Sequence, residues 1–257
     1  MVMHTRPRRM RILEALTDKK AVNIKDLAEK FAVSSMTVRR DLRRLAEQGL
    51  VTLVHGGAVL NEGTTSIAAV DTRLTQMQAE KLHIGKLASS LVKEGNAVYI
   101  DAGSTAMGIA EALAERRNIA VLTHSLPVLN ILARAKDVQL ISIPGIYHHE
   151  YKCFWGELTQ RVIHSFHIDI AFLGFSSVDM KEGLTTPDLR DAAVKREILQ
   201  QTKRAVMAID HTKIGRVALT KVADLNVIDV ILTDSEADAD FVARARRMGI
   251  EVLGTEL

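Results

Sequence analysis

Two hydrophobic rhythms divide this chain. Over the first 60 residues, apolar side chains recur every three or four positions, the spacing of helices with one buried face. Residues 8–16 predict a helix burying Met10, Ile12, Leu13 and Leu16, and 21–24 a short extended link. A second helix, 25–31, buries Leu27, Ala28 and Phe31. After a turn at 32–34, a third helix carries Val38, Leu42 and Leu45, spaced i, i+4, i+7, as a narrow apolar stripe. Met36, Arg40 and Arg43 face the other way, flanked by Thr37, Arg39 and Arg44. Ser34 stands where an N-cap oxygen would hold the first free backbone N–H groups, and Gly49 where a helix ends in a left-handed residue. Residues 50–55 run extended into Gly56-Gly57 and Ala58-Val59, a small hairpin. Two helices, a short turn and such a hairpin make a winged helix-turn-helix.

The second rhythm begins beyond a polar stretch, 61–66, that breaks both periodicities and reads as linker; 71–78 is ambiguous between linker and helix start. Residues 79–92 are helix-spaced. Thereafter short, wholly apolar runs at 97–101, 119–123, 138–143, 168–173, 204–209, 227–232 and 251–253 alternate with helical patterns at 106–116, 126–135, 158–165, 192–202 and 237–248. That alternation predicts a mostly parallel sheet covered on both faces. The fold class is α/β, with a winged helix-turn-helix domain (1–60), a linker (61–77) and an α/β domain (78–257).

Charge sharpens the division. The net charge is +3, but residues 1–60 carry 12 of the 34 Lys and Arg against 6 of the 31 Asp and Glu, leaving the remainder net negative. A basic end on a mildly acidic body points to a polyanion partner for that end. No apolar run approaches a membrane span, and the basic N-terminus has no apolar segment behind it, so neither a membrane nor a leader is expected. One cysteine, Cys153, excludes an internal disulfide and fits the cytoplasm.

Two sets of residues carry candidate chemistry. On the third helix, Ser34, Ser35, Met36, Thr37, Arg39, Arg40, Arg43 and Arg44 are placed to meet the DNA major groove, where Arg pairs with guanine edges or grips phosphates. His55 in the hairpin is either a further contact or a plain turn residue. In the α/β domain, polar stretches fall at the carboxyl ends of the strands, where such sheets bind ligands. These are Asp101-Ala102-Gly103-Ser104-Thr105, Thr123-His124-Ser125, Pro144-Gly145, Gly174 to Ser177, Gly183 to Thr186, Lys195 one turn inside a helix, and Asp210 with Lys213. The Gly103-Ser104-Thr105 turn into a helix suits a phosphate, though it is neither a Walker loop nor a dinucleotide fingerprint. His148, His149, Cys153 and His164 match no metal-site spacing, and nothing calls for a cofactor. Trp155 is expected to pack rather than stack on a ligand.

Ser34-x-x-Thr37-Val38-Arg39-Arg40-Asp41-Leu42, Gly49-Leu50-Val51 and His55-Gly56-Gly57-Ala58 together resemble the DNA-binding domain of the DeoR family of bacterial transcriptional regulators. The resemblance continues through Asp101-x-Gly103-Ser104-Thr105, Phe172-Leu173-Gly174, Gly183-Leu184-Thr185, Val194-Lys195 and Asp210-x-x-Lys213. Thr123-His124-Ser125 stands where many members have Thr-Asn-Ser, and Pro144-Gly145 where many have Gly-Gly. The resemblance implies a C-terminal domain similar in fold to sugar-phosphate isomerases. It also implies two partners, double-stranded operator DNA and a phosphorylated sugar that alters DNA affinity. It places Ser34, Thr37, Arg39 and Arg40 in the DNA-reading region; Asp41, a carboxylate that phosphates would repel, is expected to brace an arginine or the helix packing. Asp101, Gly103, Ser104, Thr105, Thr123, His124, Ser125, Gly145, Lys195, Asp210 and Lys213 are the ligand candidates. A homo-oligomer reading a repeated half-site is expected. The alternative is a sugar-phosphate isomerase-like enzyme with an appended DNA-binding domain. A DNA-binding protein without a ligand would leave the strand-end loops without a role.

Overall fold

The structure, a computed structural model, describes residues 8, 9, 11, 12, 15, 16, 21–47, 51–60 and 77–255. The chain divides into two compact units, Met1–Ala68 and Ala69–Leu257, with the break inside the stretch read as linker.

In the first unit, Arg8, Arg9, Arg11, Ile12, Ala15 and Leu16 are helical. They are followed by β1 (Ala21–Asn23), α1 (Ile24–Phe31), α2 (Ser35–Glu47), β2 (Val51–Val54) and β3 (Gly57–Leu60). The helical stripe does what its spacing predicts: Val38, Leu42 and Leu45 are buried with Ile12, Leu16, Leu27, Val51 and Ala58 in one core. Ala28 and Phe31 pack against it only partly buried. The residues expected as an extended link form a strand instead. β1 pairs with β3, Ala21 opposite Val59 and Asn23 opposite Gly57, so the wing is a three-stranded sheet ordered β1-β3-β2. A three-residue strand is too short to show alternation, and only its distant partner identifies it. Asn23 then caps α1, its Oδ1 accepting from Lys25 N at 2.8 Å. Ala32, at φ 50, turns the chain between the helices, and Ser34 Oγ accepts from Thr37 N at 3.2 Å, the N-cap bond expected of it. Met10, Leu13, Gly49, Leu50 and the linker 61–76 lie outside the described residues.

The second unit runs α3 (Gln78–Leu91), β4 (Ala97–Ile100), α4 (Ser104–Leu113), β5 (Ile119–Thr123), α5 (Leu126–Leu132), β6 (Val138–Ser142), β7 (Ile146–His148) and β8 (Cys153–Trp155). It continues with α6 (Glu157–His164), β9 (Ile170–Leu173), β10 (Ser177–Asp179), β11 (Gly183–Thr186), α7 (Leu189–Gln201), β12 (Ala205–Ala208), β13 (Thr220–Ala223), β14 (Val230–Leu232), α8 (Ala239–Arg247) and β15 (Glu251–Leu253). Seven strands form one parallel sheet, ordered β15-β14-β12-β9-β4-β5-β6. Alternate residues feed two cores. Val98, Ile100, Val121, Phe172 and Val206 pack with Ile84 of α3, Ile109 of α4 and Val128 of α5. Tyr99, Ala171, Leu173 and Met207 pack on the other face with Ile163 of α6, Val194 and Ile198 of α7 and Phe241 of α8. Burial on both faces is why these strands read as unbroken apolar runs.

Two smaller pieces lie beyond the main sheet. β7 and β8 make an antiparallel hairpin, and β10-β11-β13 a small antiparallel sheet. The stretches 174–177 and 183–186, expected as strand-end loops, therefore contribute to this sheet: Ser177 opens β10 and Gly183–Thr186 is β11. Their Gly, Ser and Thr content is that of a loop; β10 pairs with β11, and the other partner of β11, β13, is more than thirty residues away.

Candidate functional site

On the first unit, α2 turns its polar side outward. Ser34, Ser35, Met36, Arg39, Arg40, Arg43 and Arg44 are exposed, Met36 at 64 %, while Thr37 is half-buried. Among the described residues, Arg39, Arg40 and Arg43 have no hydrogen-bond or ion-pair partner. Asp41 is the exception on this helix. It is buried, and Arg8 Nε lies 2.5 Å from its Oδ2, so it braces the first helical stretch against α2. His55 is exposed at the tip of the β2–β3 turn beside Gly56. The unit thus presents an exposed cationic helix face and an exposed hairpin tip.

On the second unit, the strand order reverses between β4 and β9: β5 and β6 extend from one side, β12, β14 and β15 from the other. The carboxyl ends of strands flanking such a reversal open into the crevice where α/β sheets hold ligands. Asp101 follows β4 and Gly174 follows β9, and Gly174 N donates to Asp101 Oδ2 across the gap at 3.0 Å. Lys195, from α7, donates to the same oxygen at 2.7 Å and to Asp191 Oδ1 at 2.6 Å. Thr186 Oγ1 donates to Asp191 Oδ2 at 2.6 Å. All four side chains are buried. Burial opposes the charge on Lys195, but the attraction of Asp101 and Asp191 and their hydrogen bonds outweigh it and hold the ammonium well above its ordinary pKa. Asp191 is pushed up by burial and by Asp101, against the pull of Lys195.

His124 closes the cluster from β5. Its Nδ1 lies 2.5 Å from Tyr99 Oη, and its Nε2 faces Asp101 Oδ1 at 3.8 Å. Burial pushes the imidazole down to about 4, a fall that Asp101 opposes and Lys195 reinforces. Burial also raises Tyr99 well above the usual phenol value. Both are neutral near pH 7. The carboxylate facing Nε2 favours a proton there, which assigns the Tyr99 hydroxyl as donor to Nδ1.

The remaining ligand candidates divide. Gly103, at φ +123, makes the turn from Asp101 into α4, whose first turn brings Ser104, buried, and Thr105, half-buried; no side chain caps this helix. Thr123 Oγ1 accepts from Ser125 N at 3.1 Å, and Ser125 Oγ is buried without a partner among the described residues. Asp210 ends the strand run on the other side of β9. Burial opposes its charge, but Lys213, hydrogen bonds from Thr212 and the charge of Lys81 bring its carboxyl below the ordinary range. Gly145 lies between the end of β6 and the start of β7. A Cβ there would collide with the Thr159 hydroxyl and the Trp155 backbone, so close packing of the β7–β8 hairpin accounts for this glycine.

Lys195 sits deeper in its helix than expected. α7 begins at Leu189, not 192, because Asp188 caps it by accepting from Arg190 N at 2.9 Å. That earlier start also exposes a missed partner: Asp191 lies one turn before Lys195, an i, i+4 carboxylate–lysine pair. Tyr99 and Lys81 were missed as well. Lys81 is a lysine on the apolar stripe of Ile84 and Ala88, a pattern that signals a buried polar role. The side chains set aside as metal candidates have other company. His148 Nδ1 is 3.2 Å from Arg190 Nη1, and His164 Nδ1 is 2.8 Å from Glu197 Oε1. Cys153 is buried, which raises its thiol. Trp155 is buried with the Arg190 guanidinium 5.3 Å above its ring, a packing role.

No helix of the described residues is long and apolar enough to cross a membrane. Residues 8–64 match the DeoR-like helix-turn-helix domain, and residues 76–235 the DeoR C terminal sensor domain. The transcriptional repressor AccR of Agrobacterium fabrum (strain C58 / ATCC 33970) is 33% identical, over 90% of each chain. The glycerol-3-phosphate regulon repressor of Escherichia coli (strain K12) is 31% identical over 87% of this chain and 88% of its own. HTH-type transcriptional repressor GlcR of Bacillus subtilis (strain 168) is 30% identical over 99% and 98%. Ribose 5-phosphate isomerase A from Methanocaldococcus jannaschii aligns over 53% of this chain and 54% of its own at 18% identity and a TM-score of 0.40, too distant to bear on activity. With its helix-turn-helix and its sensor domain both matched, this chain belongs to the DeoR family of transcriptional regulators.

Proposed function

We propose that this regulator is a repressor whose α2 enters the major groove of operator DNA and whose second unit binds a phosphorylated sugar that releases it. The observation that carries the reading is the buried, hydrogen-bonded cluster of Asp101, Lys195 and Asp191 at the strand reversal, in a chain whose other unit exposes three arginines with no partner among the described residues. Ser35, Met36, Thr37, Arg39, Arg40 and Arg43 face the groove, with Ser34, Arg44 and the wing residue His55 beside the backbone. Two half-sites would engage a homo-oligomer.

In the sensor unit, the first-turn N–H groups of α4 and the hydroxyls of Ser104 and Thr105 receive the phosphate, while Asp101 and His124 meet the sugar, with Thr123, Ser125, Asp210 and Lys213 around them. The names of the repressors above, of a glycerol-3-phosphate regulon among them, agree with a small phosphorylated carbohydrate effector. Binding without turnover is favoured by the state of the polar groups. General-base catalysis is most efficient with a base poised near the working pH, and neither nitrogen base of the cluster is. Lys195 is held protonated by its bonds to Asp101 and Asp191, and burial pushes His124 down to about 4.

The double variant S104V/T105V tests the site. Fluorescence anisotropy should show operator affinity within about twofold of wild type without effector, and no response to sugar phosphates. A retained response would move the phosphate elsewhere.

A further inference from the structure

Two atoms in the cluster are left over. Asp101 Oδ1 and His124 Nε2 are both buried, and neither has a hydrogen-bond partner among the described residues. They face one another at 3.8 Å, beyond hydrogen-bond reach, although every other polar atom of these two side chains is engaged. Buried polar atoms in folded proteins rarely stay unpaired. The separation has a chemical meaning: one oxygen about 2.8 Å from each atom spans it. The neighbours also fix polarity. Nε2 carries the proton and can only donate, and Oδ1 can only accept. The group that completes the pair must therefore accept with its oxygen and donate with its hydrogen, as an alcohol does. A carbonyl would place its oxygen against the carboxylate, and a methylene would leave both atoms unpaired.

We propose that His124 Nε2 and Asp101 Oδ1 bind a single hydroxyl of the effector between them, making His124 the residue that selects sugar phosphates bearing an alcohol at that carbon over their deoxy or oxo counterparts. This rests on the sugar-phosphate reading above and names the subsite within it. The β7–β8 hairpin is tied to the backbone of this segment: Phe154 N donates to His124 O at 2.9 Å, and Ser125 bridges to Cys153.

The test is isothermal titration calorimetry on the full-length protein. The panel is ribose 5-phosphate, glucose 6-phosphate, fructose 6-phosphate, glycerol 3-phosphate and inorganic phosphate, followed by monodeoxy analogues of the tightest binder. On wild type, one deoxy analogue should bind at least tenfold more weakly than its parent. In H124N, which keeps an acceptor toward the Tyr99 hydroxyl but loses the donor toward Asp101, that ratio should fall to about one. In H124Q, whose amide reaches the Nε2 position, it should be largely restored. Unchanged discrimination in H124N, or no deoxy analogue weakened on wild type, overturns the proposal while leaving the effector site intact. No binding by any sugar phosphate overturns the reading beneath it as well. Should the variants unfold, 15N NMR of wild type decides. The His124 Nε2 signal must shift with the parent compound and stay in place with its deoxy analogue, and equal shifts with both refute the pairing.

Discussion

Replacing Lys195 by methionine should destabilise the sensor unit by about 3–5 kcal/mol at pH 7.5, the usual cost of removing one partner from a buried ion pair. Methionine fills much of the volume, so the loss is electrostatic rather than a cavity. Asp101 and Asp191 would remain buried near one another, with Gly174 N and Thr186 as their remaining donors. Asp191, which burial already pushes up, would lose the pull of Lys195 and rise further above its unfolded value near 3.9, favouring its proton in the folded state. A group shifted in that direction contributes stability that is complete below the unfolded pKa and lost as pH climbs through the folded one. The penalty should therefore shrink on acidification, and urea unfolding at pH 7.5 and 5.5 measures it. The double variant K195M/D191N should recover part of the loss, since it removes one stranded charge. A constant penalty at both pH values would mean that Lys195 acts by packing alone.

The double variant R39A/R40A should weaken operator binding by about 2–4 kcal/mol, roughly 30- to 1,000-fold, if one arginine reads a base edge and the other a phosphate. Salt dependence separates the two roles. Each lost phosphate contact lowers the slope of log affinity against log salt by about one, whereas a lost base contact relaxes sequence preference without changing the slope. Neither side chain has a partner among the described residues, so folding of the first unit should be unaffected and the loss assignable to the interface. Wild-type affinity in thermally normal R39A/R40A would remove α2 from the groove.

The helix-turn-helix and the central sheet are legible in the sequence because each rests on local periodicity. Val38, Leu42 and Leu45 announce the buried side of α2, and the apolar runs of β4, β5, β9 and β12 announce strands covered on both faces. What escapes is held by distant partners. β1 is a strand only because β3 lies beside it, and β11 is held between β10 and the distant β13. The cluster follows the same rule. Asp101 and Lys195 stand out as polar residues beside strand ends, but they are 94 positions apart and their bond is set by the fold. Tyr99 sits within an apolar run and looks like core until His124 is placed against it. Gly145 shows the reverse, a strand-end glycine whose reason is contact with Trp155 and Thr159.

The most direct test of a ligand-released repressor is fluorescence anisotropy of the full-length protein on DNA from upstream of its own and neighbouring genes. It is run at several salt concentrations, with and without the sugar-phosphate panel. The account predicts salt-dependent, sequence-selective binding that one sugar phosphate weakens by about 5- to 150-fold, the range of typical coupling between two sites. Selective binding indifferent to every compound would contradict the sensor assignment, and the absence of selective binding would contradict the assignment of α2 to operator DNA.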